Sequence, residues 1–140
     1  MQPPIQHWLV LNTNHIRFLR IYGPAVVWGI FILIATLTPG RSLPSSSLFR
    51  FDKLIHVIIF GVFAWLVLRA LYLSGRLTPE NSFRIYILVA SVTIVFGIAI
   101  ELMQQLIPDR GADINDVIAN TTGIILAQLI FYFTHRKKQV

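Results

Sequence analysis

The sequence predicts an all-α fold, a four-helix bundle that spans a membrane. Three observations carry that expectation. Of 140 residues, 55% are apolar and only 13% charged, with a mean hydropathy of +0.68, which leaves too little polarity to cover a soluble domain. Four apolar stretches approach or exceed the roughly 20 residues that cross a hydrocarbon core. Short segments rich in Pro, Gly, Ser and Asn punctuate them.

The first span runs from about Ile21 to Leu37, behind Arg17 and Arg20. That charged lead resembles the start of a secretory signal, yet no small-x-small cleavage site follows Ala35-Thr36-Leu37-Thr38, so the span is expected to stay as an anchor. Residues 1–19 form an N-terminal cytoplasmic or interfacial segment, with His7, Trp8 and Leu9 to Leu11 placed either in the headgroup region or in a frayed tail. The second span covers Leu54 to Leu73, the third Arg84 to Ile107 and the fourth Ile114 to Phe133. The transmembrane domain is thus expected over 20–135, with a basic cytoplasmic tail at 136–140.

Thr38 to Asp52, with Pro39, Gly40, Pro44 and Ser45 to Ser47, is a long first loop whose Phe49 and Phe51 are expected to dip back into the interface. Ser74 to Phe83 is a plain turn, and Pro108 to Ala112 is short enough to force spans three and four to be antiparallel neighbours.

The net charge of +6 reflects topology and not nucleic-acid binding. Arg17, Arg20, Arg69, Arg76, Arg84, Arg136, Lys137 and Lys138 fall on the side of the termini, against Arg41, Arg50, Lys53 and Arg110 on the other. The positive-inside rule therefore puts both termini in the cytoplasm. Of the six acidic residues only Glu80 is then cytoplasmic. Zero cysteines exclude disulfides, thiolate metal ligands and cysteine nucleophiles.

The acidic residues point to the functional end. Glu101, Asp109, Asp113 and Asp116 fall within one short segment, with Gln104, Gln105, Arg110 and Asn120 among them. Glu101 lies about 9 Å below the end of its helix, at about 1.5 Å per residue, and Asn120 lies as deep in the next, so the two are expected to meet. Gly97, Glu101, Gln104 and Gln105 share one face, and Asp113, Asp116, Asn120, Gly123 and Ala127 share another. Gly97 and Gly123 are expected to mark a close seam between spans three and four. Asp113 reads as a helix N-cap. An ionised Glu101 at that depth needs a partner, for which Arg110, Asn120 and His56 are the candidates. Asp52 and His56 stand one turn apart at the start of span two. The candidate binding pocket is therefore Asp52, Lys53, His56, Glu101, Gln105, Arg110, Asp116 and Asn120, with Glu101 and His56 as the candidate acid-base groups and Asp113, Gly97 and Gly123 as structural residues. Carboxylates with an imidazole have the chemistry to bind a divalent cation, but the spacing matches no recognised metal motif, so no cofactor is predicted and no metal ligand is assigned.

Asp52-Lys53-x-x-His56, Glu101-x-x-x-Gln105 and Arg110-x-x-Asp113-x-x-Asp116-x-x-x-Asn120-x-x-Gly123, with Thr38-Pro39-Gly40 after the first span, resemble the VanZ-like family over about residues 20–133. Val57 and Ala127 depart from its pattern, where an aromatic residue and a second glycine are frequent. The resemblance implies a multi-pass protein of the bacterial inner membrane that influences the cell envelope. The family's namesake is associated with resistance to teicoplanin-type glycopeptides, which implies a phenotype and not a reaction.

Three functions are consistent with this pattern. One is a binding module whose outer pocket takes the headgroup of a membrane lipid or of a lipid-linked cell-wall precursor. Another is an intramembrane hydrolase or transferase, and the third is a proton-linked transporter or small assembly subunit.

Overall fold

The computed structural model describes residues 4–38, 52–107 and 111–135, with side chains from Asn14 onward. Among them are four helices and no strand: α1 (Pro4–Leu37), α2 (Asp52–Leu73), α3 (Ser82–Gln104) and α4 (Ile114–His135). Each contains a segment long and apolar enough to cross a membrane. The expectations for the loop at 39–51, for Asp109 and Arg110, and for the tail at 136–140 lie outside the described residues.

α1 starts earlier than its hydropathy suggests. Its 34 residues extend about 51 Å at about 1.5 Å each, against a core of roughly 30 Å. The spanning segment is Asn14–Leu37, so the backbone of the N-terminal lead continues the helix from Pro4. Pro24 sits inside that segment, where a lost backbone hydrogen bond is tolerated in membrane helices.

Side-chain contacts fix the arrangement of the helices. Gln104 Nε2 donates to the Thr36 carbonyl at 2.8 Å, which joins the C-terminal ends of α1 and α3. Gln128 Nε2 donates to the Tyr86 carbonyl at 3.1 Å, joining the start of α3 to the end of α4. Lys53 pairs with Asp113 and Asp116, joining the starts of α2 and α4. α2 and α4 therefore run parallel to each other and antiparallel to α3. The N-termini of α2 and α4 share one end of the bundle with the C-termini of α1 and α3.

The interior divides into two apolar layers below that end. Ile32, Phe60, Ala64, Ile100, Ile124 and Ala127 fill the middle. Leu68, Leu77, Val89 and Phe131 close the opposite end, where Trp65 and His135 pack on the Phe131 ring. Many large apolar side chains point outward, among them Val27, Ile34, Ile58, Val92, Val95 and Ile130. In water such a surface is unfavourable, whereas in lipid it is the solvated face.

The turn at 74–81 is more ordered than a plain connection. Gly75 ends α2 with φ 73°, the left-handed conformation that glycine adopts without strain. Arg76 N–H returns to the Leu71 carbonyl at 2.9 Å. Asn81 then ties the turn, accepting from Thr78 N–H and donating to the Arg76 carbonyl.

The close seam lies between α2 and α4. A Cβ at Gly123 would overlap the Val57 carbonyl oxygen, and one at Gly61 would stand 3.1 Å from the Gly123 carbonyl oxygen. The expected pairing of Gly97 with Gly123 across α3 and α4 is thus corrected. Gly97 instead makes room for the Phe60 ring and the Asn120 amide. Gly123→Ala is expected to force the two backbones apart and destabilise the protein by about 2 kcal/mol, the usual scale of overpacking. Gly23→Ala has nothing within 4 Å of the new methyl and is expected to be neutral or slightly stabilising. Thermal unfolding of both variants in detergent micelles checks the contrast.

Candidate functional site

The polar side chains gather where α2 and α4 begin and α3 ends. Asp52, Lys53 and His56 occupy the first turns of α2. The first turn of α4 carries Asp116, and Asn120 follows one turn later. Carboxylates are favoured there because the first amide groups of a helix lack intrahelical partners.

Lys53 is the hub. Its ammonium bonds Asp113 Oδ2 at 2.6 Å, makes a closer bond to Asp116 Oδ1, and lies 3.8 Å from Asp52 Oδ2. Asp113 also caps α4, since its Oδ1 accepts the Asn115 backbone N–H at 2.9 Å. The expected cap is present, and the same carboxylate pairs with Lys53. That ammonium, with the Asn115 N–H second, holds the Asp113 carboxyl below the ordinary carboxylate range.

Deeper in the bundle, His56 Nδ1 lies 3.0 Å from Asn120 Oδ1. The amide oxygen can only accept, so Nδ1 carries the proton. His56 Nε2 faces Asp52 Oδ1 at 3.9 Å and Asp116 Oδ2 at 3.8 Å. Glu101 is buried, and its Oε2 accepts the Asp113 backbone N–H at 3.3 Å. Among the described residues its Oε1 and the Asn120 Nδ2 are both buried without a hydrogen-bond partner, so these two atoms do not bond each other. Glu101 and Asn120 share a depth as expected, yet each meets another partner first.

Gln105 is exposed, whereas its neighbour Gln104 is buried and reaches α1. The inward face of α3 is Thr93, Gly97, Ile100, Glu101 and Gln104. Arg110 lies outside the described residues. Thr36 and Gly61 were not singled out in the sequence. Thr36 is buried and returns its hydroxyl to the Ile32 carbonyl at 2.6 Å, leaving its own carbonyl to Gln104. A small polar residue near the end of an apolar span was the available signal for Thr36.

Asp52, Asp113 and Asp116 thus lie around the Lys53 ammonium, Asp52 and Asp116 also face the His56 imidazole, and Glu101 is tied to the Asp113 backbone. The arrangement can accept hydrogen bonds, hold cationic or hydroxyl-bearing groups, and exchange protons at His56.

A membrane-embedded helical bundle with a charged cluster at one end is the class of protein defined by these features. The family model described as VanZ/LLP1 matches residues 5–135, and the chain belongs to that family. No curated protein and no solved structure matches it.

Lys53→Met removes the hub and leaves Asp116 mostly buried beside Asp113 without its cation. Lys53 itself is about half exposed, with 47% side-chain accessibility, so screening limits the expected loss to about 1–2 kcal/mol. Adding Asp116→Asn is expected to restore part of it, as a double-mutant cycle by denaturant unfolding checks. The Asp113 contribution runs with pH in one direction. Its carboxyl is depressed in the folded protein, so its stabilisation is complete above the unfolded value of about 4 and fades as pH falls through the lower folded value. Unfolding midpoints measured between pH 7 and pH 3 are expected to fall below about pH 4, and less so in Asp113→Asn.

Proposed function

We propose that the charged end faces the extracytoplasmic side and binds the polar headgroup of a membrane lipid or a lipid-linked cell-wall precursor, through which the protein influences the envelope and glycopeptide susceptibility. The observation that carries this reading is a pair of buried atoms without a hydrogen-bond partner among the described residues, Glu101 Oε1 and Asn120 Nδ2. A buried acceptor and a buried donor left open are each costly unless a ligand or water completes them. Among the described residues three carboxylates share the Lys53 ammonium, which favours hydroxyl, amide or amino groups over a bare phosphate, because Lys53 is already engaged by Asp113 and Asp116. The apolar layer of Ile32, Phe60, Ala64, Ile100, Ile124 and Ala127 beneath the cluster argues against a proton or solute path through one chain.

Sidedness follows from the basic residues. Arg69, Arg76 and Arg84 flank the turn between α2 and α3, at the end opposite the cluster. By the positive-inside rule that end and both termini are cytoplasmic in the bacterial inner membrane. The cysteine-free chain makes a direct test possible. A single cysteine at exposed Leu106 is expected to react with a membrane-impermeant maleimide in intact cells, and one at exposed Glu80 only after permeabilisation. The reverse pattern inverts the topology.

Native mass spectrometry of the protein extracted with its own lipids tests the binding. The wild type is expected to retain a defined lipid species that Asp116→Ala and Lys53→Ala lose. Unselective adducts indifferent to both substitutions overturn the reading. An intramembrane hydrolase or transferase is the second reading, favoured by His56, whose Nδ1 is held by Asn120 while Nε2 is directed at Asp116. It requires Glu101→Gln or His56→Gln to abolish turnover of a retained lipid while binding persists.

A further inference from the structure

We infer that Asp52, His56 and Asp116 form a binding site for a divalent transition-metal cation of the Zn²⁺ or Mn²⁺ kind, a site that does not depend on the headgroup reading. One ligand atom from each of the three lies within 4.8 Å of the others. Ligands held about 2.0–2.4 Å from a shared ion must lie within about 4–4.8 Å of one another, so the three atoms already satisfy that limit.

The imidazole is oriented as a metal ligand requires. Asn120 Oδ1 accepts the Nδ1 proton at 3.0 Å, which in the neutral ring fixes the tautomer and leaves the Nε2 lone pair free. That lone pair faces Asp116 Oδ2 at 3.8 Å and Asp52 Oδ1 at 3.9 Å. Those separations are too long for hydrogen bonds, and a lone pair directed at two carboxylates is repelled unless a cation stands between them. The remaining Asp116 oxygen is taken by Lys53, so ammonium and metal use opposite oxygens of one carboxylate.

Two further observations point to a cation. Among the described residues Asp52, Asp113 and Asp116 share one ammonium, and Asp116, the most buried of the three, turns Oδ2 away from it toward His56. Buried Glu101 accepts the Asp113 backbone N–H through Oε2 at 3.3 Å, and its Oε1 has no hydrogen-bond partner among the described residues. It is available to hold a metal-bound water. One imidazole nitrogen with two carboxylate oxygens suits Mn²⁺ or Zn²⁺ better than Ca²⁺ or Mg²⁺, which favour all-oxygen sites.

Isothermal titration of chelator-treated protein in detergent with ZnCl₂ and with MnCl₂ tests the site. One ion per chain is expected. His56→Ala should weaken binding at least about tenfold, and Asn120→Ala should weaken it by about 10–100-fold, as loss of a group orienting a ligand does. Asp52→Asn alters a half-exposed side chain and keeps the test open if His56→Ala fails to fold; it too should weaken binding at least about tenfold. Glu80→Gln, remote from the cluster, should change nothing. Pulsed electron paramagnetic resonance of the Mn²⁺ form should show one imidazole nitrogen coupled to the metal and lose it in His56→Ala. No stoichiometric binding, binding indifferent to Asp52→Asn, or no nitrogen coupling overturns the inference.

Discussion

Everything at the charged end depends on how closely α2 and α4 approach. At Gly123 the backbone of α4 lies directly under the Val57 carbonyl of α2, with no room for even a methyl group between them. In lipid no hydrophobic force drives two apolar helices together, so close backbone approach and the dispersion it permits must supply the attraction. Gly61 extends the contact on the facing helix. The parallel alignment of the pair puts both N-termini at the same end. Lys53 and His56 therefore meet Asp116 and Asn120 one to two turns beyond the glycines.

That alignment has an electrostatic consequence. Two parallel helices present their positive dipole ends side by side, and each carries acidic residues in its first turn, Asp52 on α2 and Asp116 on α4. Asp113 completes the arrangement as both cap and ion-pair partner. The cap needs only Oδ1, so Oδ2 is free for Lys53. A single side chain thus couples the local start of α4 to its packing on α2.

The sequence made the fold legible because hydropathy in a membrane protein responds to one strong requirement, that backbone polar groups be satisfied within apolar helices. Four helices in the expected order follow from it. The candidate site was legible as a region, since Glu101, Asp116 and Asn120 are polar where polarity is costly. Azimuth was less legible. Gln104 and Gln105 differ by about 100° around the helix, and spacing alone admits both to a broad face. The structure selects Gln104, whose side chain reaches the Thr36 carbonyl of α1. The glycine seam was misassigned for a related reason. The five-residue segment Pro108 to Ala112 makes α3 and α4 neighbours, but it says nothing of α2, which is distant in sequence and closer in space.

The depth of the cluster also separates the roles of its members. Lys53, Asp52 and Asp113 are about half exposed, and their charges are screened by whatever lies outside. Glu101 and Asn120 are almost wholly buried, each with one satisfied atom and one open atom. If the end served stability alone, apolar residues of similar volume would pack there at no such cost, since replacing buried polar groups in that way is often neutral or stabilising. Gly97 sharpens the point, because its missing side chain is what lets the Asn120 amide lie against α3. A helix that gives up a side chain here admits an amide donor that has no hydrogen-bond partner among the described residues.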